Sequence, residues 1–330
     1  MKYQAQYLLR SMFLTVAILC GFAVHSAQAQ DAETLAAISA AMDNPLSELF
    51  IFQTQYDHFS FDLPNLGKTK SVGAFKFIPT FPIPITSKIN WVSRIVLPVN
   101  SVPLNDRIGD LLGVGGGPDA PLTGGATGVP QDVIDDIRQD PFKRTTGLGD
   151  IVYIALFGPR KPPKIGGNPF IWGVGPTTMF PTASKDVLGL GKYSMGPAAV
   201  LLYIPGKWRI GTLAQHWNSF AGDDDRGDVS MSNIQYFIFY APSPTLSIGM
   251  SPNISINWEA DGDKLTFPIG FGFNKTMFFG KLPVRLGAEF HYDAISPDDK
   301  AGAQWSFRVF AIPVIPAPWG ELGKLLKKQK

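Results

Sequence analysis

The residues most able to do chemistry lie near the C-terminus. Glu289, His291 and Asp293 alternate with Phe290 and Tyr292, so they share one face of an extended segment. A histidine flanked by carboxylates can be an oriented general base. The same face also carries Arg285, and the next segment carries Arg308. Opposed charges held away from bulk water need partners, so the simpler reading is a buried polar network. No G-x-S-x-G motif is present. Ser194 comes nearest, in Gly191-Lys192-Tyr193-Ser194-Met195-Gly196, with the wrong spacing. No enzymatic role is expected; a lipid-modifying enzyme using His291 is the least favoured alternative.

Metal and nucleotide chemistry fare no better. Asp223-Asp224-Asp225 offers oxygen ligands for Ca²⁺ but lacks the EF-hand spacing. It reads more simply as a solvated acidic loop near lipopolysaccharide-bound divalent ions. Arg226-Gly227-Asp228 matches an integrin-binding tripeptide, but so short a match is common by chance. Gly189-Leu190-Gly191-Lys192 lacks the Walker spacing. No Cys/His cluster points to zinc or haem, so neither metal nor cofactor is expected.

The elements that must position these residues are strands. Apolar residues make up 45% of the 330-residue chain and charged residues 17%, which excludes a disordered chain. One cysteine cannot form an internal bridge. A net charge of +2 argues against a nucleic-acid partner. With 34 Gly and 28 Pro, many turns are expected.

The first segment reads as an address. Lys2 and Arg10 precede an apolar run from Met12 to Val24, and Ala27-Gln28-Ala29 follows. This is the secretory pattern, with cleavage after Ala29. A lipoprotein using Cys20 competes, but Leu19 stands where a small residue belongs. Cleavage removes Cys20 and leaves basic and acidic groups equal at 27.

Period-2 alternation dominates the rest. Leu246, Ile248, Met250, Pro252, Ile254, Ile256 and Trp258 oppose Ser247, Gly249, Ser251, Asn253, Ser255, Asn257 and Glu259. Leu265 to Asn274, Val284 to Asp293 and Gln304 to Ala311 repeat the pattern, as do stretches from Trp208 and Asn233. Further strands are expected near 50–59, 71–80, 89–97, 147–157, 168–180 and 193–203, about twelve in all. Compact connections (204–207, 242–245, 278–281) alternate with polar ones holding Asp223–Asp228, Asp261 and Asp263, and Asp298 and Asp299. Aromatic residues gather at strand ends: Trp172, Tyr193, Tyr203, Trp208, Tyr240, Trp258, Tyr292 and Trp305. A soluble sandwich also alternates, but its strands are typically about five or six residues. Segments of nine or more suit a tilted membrane strand.

The expected fold is therefore all-β: a transmembrane antiparallel up-and-down barrel of about twelve strands. A signal peptide (1–29) is expected first. A helical N-terminal segment (30–49, helical over Thr34 to Met42 and ended by Asn44-Pro45) lies under the barrel or plugs it. The barrel is expected over 50–319. Residues 98–146 are a long outer loop, with a glycine-rich part and a helical part at Pro130 to Gln139. A basic tail covers 320–330. The inward-facing residues are Arg94, Arg209, Gln215, Asn233, Gln235, Asn257, Glu259, Arg285, Glu289, His291 and Arg308, with Leu213, Phe237, Phe239 and Phe310 sharing the space. Charged rings set ion preference in pores, and a twelve-strand lumen is only moderately wide.

Short segments in order along the chain carry a family resemblance. They are Asn44-Pro45-Leu46, Trp91 to Pro98, Gly147-Leu148-Gly149-Asp150, Gly175-Pro176-Thr177, Phe180-Pro181-Thr182, Ser219-Phe220-Ala221-Gly222 and Lys281-Leu282-Pro283-Val284. In these the chain resembles the bacterial outer-membrane family of the MetA phenol-degradation type, often labelled neuromedin U proteins. The charged tail after Trp319 extends beyond the family pattern. The resemblance implies an outer-membrane barrel linked to uptake of aromatic or other hydrophobic compounds. The expected function is passive passage of such small molecules, with outer-membrane lipids, lipopolysaccharide and the barrel-assembly machinery as partners. A closed structural or adhesive barrel is the alternative.

Overall fold

The computed structural model describes residues 29–63, 68–107, 131–297 and 303–320. Apart from Ala29, the expected signal peptide lies outside them. So do the glycine-rich part of the long loop, Asp298 and Asp299, and the basic tail after Gly320.

Helix α1 (Ala29–Met42) leads into β1 (Leu49–Leu63), β2 (Lys68–Pro84) and β3 (Ile89–Val102). Helix α2 (Gln131–Gln139) precedes β4 (Thr145–Leu148) and β5 (Ile151–Pro159). Then come β6 (Lys164–Ile165), β7 (Asn168–Phe180), β8 (Lys192–Tyr203), β9 (Trp208–Gly222) and β10 (Ser230–Ser243). The wall continues through β11 (Leu246–Met250), β12 (Asn253–Asn257), β13 (Leu265–Phe279), β14 (Leu282–Ile295) and β15 (Ala303–Pro316). Every pairing is antiparallel, and β1 pairs with both β2 and β15, so the sheet closes on itself. With β4/β5 and β11/β12 each counted as one interrupted strand, and the two-residue β6 left out because it pairs only with the start of β7, the barrel has twelve strands. Closure leaves no strand edge unpaired, which a strand crossing lipid requires. No described helix is long and apolar enough to cross a membrane, which says nothing about crossing by strands.

The faces are inverted relative to a water-soluble sandwich. Phe271 is 64% exposed, Phe290 51% and Val174 50%, all on the outer surface. Asp57, Arg285, Glu289, His291 and Arg308 are buried inside. A soluble protein would bury the first set and wet the second. Aromatic side chains form two rows. Tyr193, Trp258, Tyr292 and Trp305 lie toward the long-loop end, and Trp172, Tyr203, Trp208 and Tyr240 toward the short-turn end. Such girdles flank the apolar band of membrane barrels. Two of the short turns place glycine in the left-handed region, Gly206 (φ 58°) and Gly280 (φ 60°), where a Cβ would be strained.

Two expectations shift in detail. The Leu246 to Glu259 strand is interrupted at Ser251–Pro252. The long loop is shorter than 98–146, because β3 continues to Val102 and β4 begins at Thr145. Its described part sits at the rim. Arg144 bonds the Ser71 and Ser101 carbonyls at 2.8 and 3.0 Å, and Asn105 donates to Asp136 at 3.1 Å.

Candidate functional site

The helix ends where Asn44-Pro45 breaks it, and the chain then turns into the barrel wall. Asn44 Oδ1 accepts the Leu46 N–H at 2.9 Å, fixing that turn. This places Asp43 inside the barrel between two walls. Its carboxylate accepts from Arg209 Nε of β9 and from Arg285 Nη2 of β14, both at 2.8 Å. Arg285 also donates to the Ser39 carbonyl at 2.9 Å, and Ser39 Oγ meets Thr276 Oγ1 at 3.0 Å. Glu48 pairs with Arg160 at the short-turn end. Apolar anchors add to these: Ile38 packs with Leu49 and Val314, and Leu46 inserts among Val92, Ile154, Ile171 and Val200. The N-terminal segment is therefore a plug, held by two ionic knots and two apolar clusters.

A second network spans the polar side of the lumen. Asp57 of β1 accepts from Arg308 Nε at 2.7 Å and from Lys76 Nζ at 2.9 Å. Gln53 donates to Gln55 and Gln55 to Asp57, each at 2.7 Å. Arg308 Nη1 reaches the Ser251 carbonyl at 2.8 Å. Ser251 returns two bonds of 2.7 Å, from its N–H and its hydroxyl, to the two oxygens of Glu289. His291 Nε2 lies 2.9 Å from Glu289, and its Nδ1 lies 3.4 Å from Ser306 Oγ. The break at Ser251–Pro252 thus has a role: it lets backbone groups turn inward to bind Glu289 and Arg308. Each buried charge here has a partner, as burial demands. Among the described residues, no group of His, Cys, Asp and Glu could hold a metal.

Between the plug and this network lies a chamber of about 190 Å³. Arg94, Arg209, Gln235, Arg285, Glu289 and Arg308 line it, as do Phe237, Phe239 and Phe310. The lumen is two-sided. The inner faces of β3 to β9 carry an apolar cluster (Val92, Leu156, Ile171, Val200, Leu202, Leu213) interrupted by Arg94 and Arg209, whereas those of β13 to β2 carry most of the buried charges.

The other expected inward residues fall as follows. Gln215 accepts from Thr177 Oγ1 at 3.1 Å, and Thr177 in turn accepts from buried Trp217 Nε1 at 3.1 Å. Asn233 pairs with Gln215 in register and so shares its face. Asn257 ends β12 at the exposed rim. Glu259 is corrected: the strand stops at Asn257, and Glu259 stands exposed in the connection to β13, outside the lumen. Alternation continues through Trp258 and Glu259 in the sequence, but the chain already turns there, with Asn257 Oδ1 accepting the Glu259 N–H at 3.2 Å. Sequence reasoning missed Asp43, Asp57, Lys76 and Ser251. For Asp57 the signal was present, since Gln53, Gln55 and Asp57 alternate with Thr54, Tyr56 and His58.

A closed barrel with an apolar outside, aromatic girdles and a charged, plugged inside defines an outer-membrane-type β-barrel. No family model matches the chain, and no curated protein matches it. Among solved structures it is similar to the outer membrane channel of Pseudomonas putida F1. That alignment has a TM-score of 0.53 and 13% identity and covers 81% of this chain and 96% of that one. The outer membrane phospholipase of Salmonella typhi aligns at TM-score 0.41 and 12% identity, covering 84% and 97%. The translocator domain of the autotransporter NalP from Neisseria meningitidis aligns at 0.36 and 9%, covering 86% and 94%. At these identities the likeness is one of fold.

Proposed function

We propose that this protein is a passive outer-membrane conduit for small hydrophobic or aromatic molecules, with the Ser39–Glu48 segment as its gate. The observation that carries the reading is the chamber of about 190 Å³ lined by both charged and apolar side chains and floored by Met42 and Asp43 of the plug. Ligand sites combine apolar lining with a few placed polar groups, and this chamber has both. A structural barrel has no need of a two-sided chamber, and the fold likeness to a channel agrees with the reading. The exposed apolar band and girdles support an outer-membrane location, where lipids, lipopolysaccharide and the barrel-insertion machinery would be its partners. The link to degradation of phenolic compounds rests on the family resemblance. No hydrolytic step is assigned to His291, whose ring nitrogens face Glu289 and Ser306.

The test is uptake of benzyl alcohol into liposomes holding the refolded protein. Entry faster than in protein-free liposomes, and faster again for Asp43→Ala, supports the conduit. Equal rates for all three point to a sealed barrel.

A further inference from the structure

Among the described charges that line the chamber, one has no partner in the barrel itself. Arg94 lies midway along β3 and lines the chamber. Among the described residues it has no ion pair, and its Nε is buried without a hydrogen-bond partner. Its cross-strand partner on one side is Thr80, whose buried hydroxyl also lacks a partner. On the other side stands Ile154, 1% exposed. The remaining chamber guanidiniums are occupied: Arg209 and Arg285 by Asp43, Arg308 by Asp57.

An unpaired cation in a largely apolar half of a lumen is costly unless an anion meets it. The chamber wall carries four arginines but only two carboxylates, Asp43 and Glu289, so its imbalance is positive. A guanidinium presents a planar fork that matches a carboxylate. Phe237 and Phe310 line the same space, which suits a flat apolar body. The volume of about 190 Å³ exceeds the roughly 150 Å³ in which benzene is held by an apolar cavity.

We infer that Arg94 is a binding subsite for the carboxylate of a small aromatic acid held in the chamber. This deepens the conduit reading and rests on it for its purpose. The binding itself is measurable without any flux.

The test is calorimetric titration of the full-length protein in detergent with benzoate at neutral pH, and with benzyl alcohol as its uncharged counterpart. The expected result is benzoate binding at least about tenfold tighter than benzyl alcohol. Arg94→Gln removes that advantage. Heat-modifiable mobility on gels verifies that the variant is folded, and the comparison of two ligands on the unaltered protein needs no variant. Benzoate binding no tighter than benzyl alcohol overturns the subsite, as does benzoate binding undiminished in folded Arg94→Gln. Selective benzoate binding without uptake of either compound into liposomes would leave the subsite standing and remove the conduit reading.

Discussion

Arg285 and Asp43 are separated by 242 residues of chain and meet at 2.8 Å inside the barrel. The same carboxylate meets Arg209 across 166 residues. One plug residue therefore ties two distant parts of the wall. Removing it leaves two guanidiniums facing each other without an anion between them.

Asp43→Ala is expected to loosen the plug. Breaking a buried pair by deleting one partner costs on the order of 3 kcal/mol. The loss should appear as a lower urea midpoint in lipid vesicles and as longer or more frequent open events in a planar bilayer. Arg209→Met combined with Asp43→Ala should be less destabilised than the sum of the single changes, because the two groups interact directly.

Arg308→Met should be more damaging to stability than Lys76→Met. Arg308 serves Asp57, the Ser251 carbonyl and, at 4.0 Å, Glu289, whereas Lys76 serves Asp57 alone. A loss of about 3–5 kcal/mol is expected for the first and about 1–2 kcal/mol for the second. Equilibrium unfolding by denaturant in vesicles gives both values.

Two β13 positions of opposite face, Phe271 and Asn274, should report opposite environments. A cysteine placed at Phe271, on the outer surface, should be quenched by lipid-borne quenchers and ignore a water-soluble maleimide. A cysteine at Asn274, which lines the chamber, should do the reverse. Phe271→Arg should cost about 2–4 kcal/mol if that position lies near the bilayer midplane. The native Cys20 falls in the expected leader, so a processed chain would carry no competing thiol.

At the rim, the Asn105 amide, aided by Lys143, holds the Asp136 carboxyl below the ordinary carboxylate range. A depressed pKa means that this contact stabilises the folded rim above the unfolded value near 3.8 and is lost as pH falls through the lower folded value. The protection factors of amides in Gln131–Gln139, which are corrected for the slowing of intrinsic exchange in acid, should fall only below about pH 4, and Asn105→Ala should lower them already at neutral pH.

Much of this was legible in the residues. Strands β13 and β14 alternate so regularly that their faces, and the burial of Arg285, Glu289 and His291, follow from period two. The helix ending at Asn44-Pro45 was equally readable, because Pro45 stops it. The break at Ser251–Pro252 was not, since Pro252 keeps the alternation while removing a donor from the ladder. Asp43 was invisible for another reason: its partners lie 166 and 242 residues away, and only closure of the barrel brings them together. Glu259 was misplaced because local alternation outlasts the strand.

The most direct measurement is single-channel conductance of the refolded protein in a planar bilayer, with Asp43→Ala and Glu289→Lys beside it. The account predicts small, intermittent currents for the unaltered protein, larger ones for Asp43→Ala, and altered ion preference for Glu289→Lys. A correctly folded Asp43→Ala barrel that carries no current would contradict it.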